Sequence, residues 1–399
     1  MNNIKNNKRR KPTRGRNTNN GRPRSKRKAV SSIDPLSLVK RATNEKETST
    51  VSTGSFNDFN LSEKLSKNIE KKGYITPTEI QSRSYKALYE GRDMIGVANT
   101  GTGKTGAFLI PLIERLAQNP RDPFTTLVVV PTRELALQVE SEFKSLTHGM
   151  KLFVSCFIGG TSMGKDLSKA RRGSHLVVGT PGRLLDLANR GAIRFQEMSV
   201  LILDEFDRML DMGFVNDIKK MVSRMQRREQ TLLFSATIDP KQRSLINSLV
   251  QNPFEIRVSR GTTATNTVDQ DIIKVGPNED KFGMLLDLIG DRSFEKVILF
   301  AETKRLVDRL SKKLSKSGIP SGMIHGDKSQ NYRVRAIDQF KRGSTRVLVA
   351  TDVAARGIDI ENVTHVINYQ LPMTMDSYIH RIGRTGRAGN KGMAYTFVN

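Results

Sequence analysis

The sequence predicts two α/β domains in tandem, each built on a parallel sheet, behind a disordered basic N-terminal tail. Three observations predict this. From Phe56 onward, short apolar runs alternate with helical stretches. The runs are near-continuously apolar, as strands covered on both faces should be. The series breaks once, at Ser259–Asn266, a polar run rich in Thr, Ala and Gly, and then begins again. A length of 399 residues suits two such units and a tail.

The tail comes first. Residues 1–54 hold fifteen Lys and Arg against three acids, a net charge of +12, and few apolar side chains. Such a segment cannot bury enough surface to offset chain entropy, so it is expected to be disordered. The whole chain carries +26, which leaves +14 on residues 55–399. A shared positive sign points to a polyanionic partner, with the tail as a nucleic-acid arm. A solubilising tail, or an address signal around Arg24–Lys28, is the plainer alternative.

The first domain is expected over residues 55–258. Its strand candidates are Asp93–Ala98, Thr125–Pro131, Leu152–Ile158, His175–Gly179, Val200–Leu203 and Thr231–Phe234. Crossover helices fit between them, Glu134–Leu146 for example. A linker is expected over 259–268. The second domain, 269–399, offers Asp271–Val275, Val297–Phe300, Gly322–His325, Arg346–Ala350, His365–Asn368 and Met393–Val398. One Cys excludes an internal disulfide, and without a CxxC pair a Cys/His zinc module is excluded too. No apolar run approaches the roughly 18 residues of a membrane helix, and the N-terminus lacks the apolar core of a secretory signal.

Ala98–Thr105 reads ANTGTGKT, directly after a strand and before a helical stretch. Gly101 and Gly103 let backbone N–H groups turn toward phosphate oxygens. Lys104 can reach the β and γ phosphates, and the Thr105 hydroxyl can ligate Mg²⁺. Ala98, Asn99, Thr100 and Thr102 complete this phosphate-binding loop. Val200–Asp207 reads VLILDEFD, so a buried strand delivers carboxylates to its C-terminal end, where open α/β sheets bind ligands. Asp204 would hold Mg²⁺, partly through water, and Glu205 would orient and deprotonate the attacking water. Loop and acids together indicate nucleoside triphosphate hydrolysis.

Further motifs follow in order: GYITPTEIQ at Gly73–Gln81, PTREL at Pro131–Leu135, Gly159–Gly160, TPGR at Thr180–Arg183, and SAT at Ser235–Thr237. Behind the linker come VILFAET at Val297–Thr303, Gln330 with Arg333, ATDVAARGID at Ala350–Asp359, and HRIGRTGRAG at His380–Gly389. In this order the motifs resemble those of the DEAD-box ATP-dependent RNA helicases, with DEFD in place of DEAD, across residues 55–399. The resemblance implies two RecA-like domains, with ATP and Mg²⁺ as cofactors and RNA as partner.

The resemblance also implies roles. Gln81 would read the adenine edge, with Thr78 beside it and Phe56 packed on the base. Asp359 would bind the ribose. Arg384 and Arg387 would act on the γ-phosphate from the second domain, and His380 would couple that domain to the hydrolysis site. Asp207, Ser235 and Thr237 would link hydrolysis to strand separation. RNA would meet Arg133, Gly159, Gly160, Thr180, Gly182, Arg183, Gly326, Gln330, Arg333 and Thr351. These are small or cationic groups suited to phosphates, so binding is expected to be largely sequence-independent.

Two departures stand out. Phe206 replaces the family's usual Ala, and overpacking of that kind typically costs about 1–3 kcal/mol. It is expected to disturb the contact of Asp207 with Ser235–Thr237. The sequence also ends at Asn399, just after the last strand candidate, so either the chain is truncated or part of one face of the second sheet is expected to stay uncovered. The expected molecule is cytoplasmic and monomeric. A DNA translocase, an ATP-gated RNA clamp and an unrelated phosphate-loop NTPase are the competing readings. Among isolated residues, Cys156, His175 and the Met residues near 209–225 are expected to be structural.

Overall fold

The computed structural model describes residues 31–42, 54–99, 101–118, 126–258, 267–355, 360, 362–386 and 391–398. The first domain holds a seven-stranded sheet made of β1 (Met94–Ala98), β2 (Thr126–Val129), β3 (Val154–Phe157), β4 (Leu176–Gly179), β5 (Val200–Leu203), β6 (Gln230–Ser235) and β7 (Phe254–Val258). The order is β3-β4-β2-β5-β6-β1-β7, and every pair is parallel. Helices cover both faces, giving two separate cores. One contains Phe108, Phe143 and Phe234, the other Phe157, Phe195 and Phe206.

The second domain holds β8 (Val268–Lys274), β9 (Val297–Phe300), β10 (Ser321–Ile324), β11 (Val347–Ala350), β12 (His365–Asn368) and β13 (Gly392–Val398). Its order is β10-β11-β9-β12-β13-β8, again wholly parallel. All the strand candidates are present. The reading missed β7, an edge strand whose residues are only partly buried and whose apolar signal is weak. β8 begins at Val268, inside the predicted linker; residues 259–266 lie outside the described residues.

The expectation of disorder over residues 1–54 is corrected at 31–42. Pro35–Leu38 forms a 3₁₀ turn capped by the Asp34 carboxylate, and Ile33 and Leu38 are buried in a core of the second domain. Composition misled here because two anchoring side chains are too few to change a 54-residue average. The segment also packs on the face of the second sheet that carries Ala336, Phe340 and Tyr378. Residues 1–30 and 43–53 lie outside the described residues.

Three structural expectations hold. Cys156 is buried in β3, and burial pushes its thiol well up. His175 accepts the Phe153 N–H on Nδ1 at 3.0 Å. Met209, Met221 and Met225 are core.

Candidate functional site

Strand order sorts the first domain's motif residues into two groups along the C-terminal edge of its sheet. Gly159 and Gly160 follow β3, Thr180–Arg183 follow β4, and Arg133 follows β2. These strands form one end of the sheet. Asp204–Asp207 follow β5, Ser235–Thr237 end and follow β6, and the phosphate loop follows β1. These three strands are neighbours, so residues over 130 positions apart become one site.

The loop turns through Gly101 and Gly103, at φ 84° and 87°. L side chains rarely adopt such angles. Lys104 is buried and donates from Nζ to the Ala98 carbonyl at 2.6 Å. Thr102 Oγ1 donates to the Asn99 carbonyl at 2.8 Å, and Thr105 lies in the first turn of the helix Lys104–Gln118. Gln81 accepts the Thr78 N–H on Oε1 at 2.9 Å and donates from Nε2 to Gly103 O at 3.2 Å. A Cβ on Gly103 would lie 2.7 Å from Gln81 Nε2, and the positive φ would strain any L side chain there. Phe56 is buried edge-to-face on Phe59, centroids 5.4 Å apart, with Tyr74 stacked at 6.3 Å. Thr100 lies outside the described residues.

Asp204 is 2% exposed and accepts the Glu205 N–H at 2.9 Å. Burial pushes its carboxyl up to about 6, and the nearby Lys104 charge opposes that rise. Glu205 holds a left-handed backbone, φ 53°, and its Oε2 accepts from Arg208 Nη1 at 2.6 Å in a buried ion pair. Asp207 Oδ2 accepts from the N–H groups of Ala236 and Thr237, both at 3.1 Å, and from Thr237 Oγ1 at 3.3 Å. The Ser235 hydroxyl accepts from Asp207 N at 3.3 Å and donates to Thr237 O at 2.6 Å. The expected disturbance from Phe206 is therefore corrected. Its ring is fully buried in the opposite core, among residues that include Met209, Met221 and Met225. Thioether side chains adapt to irregular volumes.

The other group meets the second domain. Gln330 Nε2 donates to Glu134 Oε1 at 3.1 Å, and Arg333 Nη2 lies 2.9 Å from Glu134 Oε2. Both reach across the cleft, and the Arg333–Glu134 side chains are 10% and 7% exposed. Arg133 lies over Gly159 and Gly160; a Cβ on Gly160 would clash with its guanidinium. Burial lowers the Arg133 pKa, and Arg333 adds like-charge repulsion. Arg183 pairs with Asp166 and donates to Thr161 O at 3.0 Å. Arg133, Gly159, Thr180, Gly182, Arg183, Gly326 and Arg333 line one cavity of about 440 Å³ spanning both domains. Gly160, Gln330 and Thr351 are outside that lining, although Gln330 is tied to Glu134.

Arg384 is buried, and its Nε donates to His380 O at 3.3 Å. His380 lies on the helix Met375–Ile382. Asp359 and Arg387 lie outside the described residues. Sequence reasoning missed five contributors. Glu134 and Arg208 sit inside or beside quoted motifs; the partners of Glu134 appear only in three dimensions, whereas Arg208 stands at the helical i, i+3 spacing from Glu205 that could have found it. Arg381 makes a two-point contact with Asp352, at 2.6 and 2.8 Å, and so ties the arginine-bearing helix to the end of β11. Met212 and Phe214, assigned to the core or not at all, line the cleft cavity.

The residues present fit ATP with Mg²⁺. A buried carboxylate, Asp204, needs a cation, and Thr78 Oγ1 is buried without a hydrogen-bond partner. Among the described residues no three His, Cys, Asp or Glu gather as a metal site.

Comparison with known proteins agrees with this geometry. A DEAD/DEAH box helicase model matches residues 78–245, and a helicase conserved C-terminal domain model matches 280–389. The DEAD-box ATP-dependent RNA helicase CshA of Bacillus licheniformis is 42% identical over 87% of this chain and 71% of its own length. The chain belongs to the DEAD-box ATP-dependent RNA helicase family. CshA of Bacillus subtilis is also 42% identical, over 87% of this chain and 70% of its own.

Among solved DEAD-box structures, Saccharomyces cerevisiae Dbp5 bound to RNA and ADP–BeF3 superposes with a TM-score of 0.76. It is 32% identical and covers 86% of this chain and 89% of its own. Mss116p bound to single-stranded RNA and AMP-PNP gives 0.78 at 31% identity, over 90% of this chain and 76% of its own. A Dbp5 variant bound to Nup159, a Gle1 variant, IP6 and ADP gives only 0.59. No helix among the described residues is long and apolar enough to cross a membrane.

Proposed function

We propose that this DEAD-box protein hydrolyses ATP in an RNA-stimulated cycle and uses it to separate short RNA duplexes locally or to remodel RNA–protein complexes. One observation carries the reading: a cavity lined from both domains by small and cationic residues, closed by Glu134 against Gln330 and Arg333. It lies on the same sheet edge as the phosphate loop and the acids.

Gly103 and its neighbours present backbone N–H groups to the phosphates, and Lys104 leaves the Ala98 carbonyl to meet them. Thr105 and Asp204 would hold Mg²⁺, partly through water, and bound with ATP it would neutralise charge on the β and γ phosphates. Glu205 takes a proton from the attacking water once that water has displaced its bond to Arg208. Arg384 and Arg387 swing from the second domain to the γ-phosphate and stabilise transition-state charge. Gln81 and Phe56 select adenine and Asp359 binds the ribose. Asp207, bonded to the Ser235–Thr237 segment, carries the change at the acids toward the cleft, where His380 receives it.

On the other side, Arg133, Gly159, Gly160, Thr180, Gly182, Arg183, Gly326, Gln330, Arg333 and Thr351 hold a single strand through phosphates and sugars. Such contacts are indifferent to sequence. The grip fits one bent strand and not a duplex, so a few base pairs open on binding. Loss of phosphate reopens the cleft. The protein works as a monomer in the cytoplasm.

The test measures ATP turnover with RNA, with DNA or with neither, and duplex opening in parallel, for wild type and Glu205→Gln. RNA should stimulate turnover and ATP should drive opening. Glu205→Gln should lose about 10²–10⁴-fold in turnover while still binding both ligands. Turnover indifferent to RNA would overturn the proposal. Stimulation without opening would support an RNA clamp instead.

A further inference from the structure

The segment Ser31–Ala42 precedes the first domain in the chain, yet it is built into the second. Ile33 is 7% exposed and Leu38 1%, in the same core as Val268, Tyr378 and Ile382. Ser31 Oγ donates to Pro372 O at 2.6 Å, and Ser32 N to Met373 O at 3.3 Å. Those carbonyls lie just before Thr374, which caps the helix Met375–Ile382. At its other end the segment pairs antiparallel with β8. Lys40 N donates to Gln270 O at 3.1 Å and Gln270 N to Lys40 O at 2.8 Å, while Ala42 N donates to the Asp269 carboxylate at 2.8 Å. The Gln270 side chain is buried and accepts from Tyr378 OH at 3.1 Å, which carries the connection back to the helix.

The local sequence encodes this shape. Asp34 caps Leu36 N at 3.1 Å, and Pro35 occupies the first position of the turn, where a missing N–H costs nothing. Leu38 then points inward, and Lys40 resumes an extended backbone beside an edge strand that would otherwise expose unpaired groups.

The helix it touches carries His380 and Arg381 and leads into Arg384. Its lead-in, its buried face and its neighbouring strand are each bonded to or packed on the segment. From this we infer that Ser31–Ala42 is a positioning element for the second domain's arginines, a brace that fixes where the helix Met375–Ile382 stands. The inference rests on the proposed role of Arg384. A displacement of about 1 Å at a catalytic group can cost 10²-fold in rate, so a brace outside every family motif can govern turnover. A consequence is that the chain joins the two domains twice, through 43–53 and through 259–266. Fully extended, those spans reach roughly 40 Å and roughly 30 Å.

The test compares chains lacking residues 1–30 and residues 1–42 with the full protein, and then adds the peptide 31–42 in trans. Loss of 1–30 keeps the brace and should leave kcat at saturating RNA in place, whatever the tail adds to RNA affinity; if stimulation is missing even in the full protein, the helicase reading fails and not the brace. Loss of 1–42 should lower kcat by about 10²-fold with little change in the KM for ATP, and the peptide should restore it. Leu38→Asp should repeat the defect, and Leu38→Met should not. A 1–42 deletion that is folded by circular dichroism and turns over normally would overturn the inference. So would a peptide that binds this deletion without raising kcat.

Discussion

The two sides of the cleft are wired differently. On the RNA side, Glu134 of the first domain accepts a hydrogen bond from Gln330 and forms an ion pair with Arg333 of the second. On the ATP side, each key cation or acid bonds within its own domain. Lys104 bonds Ala98, Glu205 bonds Arg208, and Arg384 bonds His380. The difference teaches a division of labour. The RNA side is joined by side chains of both domains. The ATP side is held by bonds inside each domain. An isolated buried charge would be costly, so each of these charges keeps a partner.

Breaking the ATP side from the second domain should have the largest effect. Arg384→Ala should lower RNA-stimulated turnover by about 10³-fold or more, with nucleotide affinity nearly unchanged. Turnover kinetics and a nucleotide-binding titration check this together. A parallel loss of affinity would mean that Arg384 shapes the resting site instead.

A second prediction separates core from chemistry within the first domain. Phe206→Ala should cost about 3–5 kcal/mol of stability by leaving a cavity, seen as a lowered midpoint in denaturant. The ring packs away from Asp207, so the surviving fraction should keep its coupling of hydrolysis to duplex opening. Improved coupling would show that the ring does press on the Ser235–Thr237 segment.

The smallest effect concerns Asp204. Burial raises its pKa from an ordinary 3.8 to about 6. The fold therefore favours the protonated form. The stability this contributes is present below about pH 4 and is lost as pH rises through about 6. Asp204→Asn should remove that loss. In nucleotide-free protein its melting temperature should exceed wild type above about pH 6, and the gap should shrink toward about pH 4. A gap independent of pH would place the cause elsewhere.

Much of this was legible in the sequence, for a physical reason. Buried parallel strands must be apolar throughout, and phosphate loops must use glycine and lysine at fixed spacing, so both leave local signatures. β7 left little because an edge strand is only half-buried. The brace at 31–42 left none in composition, since Ile33 and Leu38 sit in a polar, basic stretch and find their partners more than 200 residues away. Glu134 was visible as a residue but not as a partner, because a salt bridge across a cleft has no sequence spacing; the Glu205–Arg208 pair, at helical i, i+3 spacing, was legible and went unread. Phe206 looked disruptive because local reasoning could not see that the helix Phe206–Asp211 turns the ring into the Met-lined core.

The central claim is that Glu134 bridges the RNA side of the cleft to Gln330 and Arg333. Paired fluorophores on Lys67→Cys and Lys312→Cys would report it, since the native Cys156 is buried. Single-molecule energy transfer should show a substantial short-distance population in ligand-free protein, and Glu134→Ala should deplete it. ATP analogue and RNA together should restore it. A ligand-free distance distribution unchanged by Glu134→Ala would contradict the account.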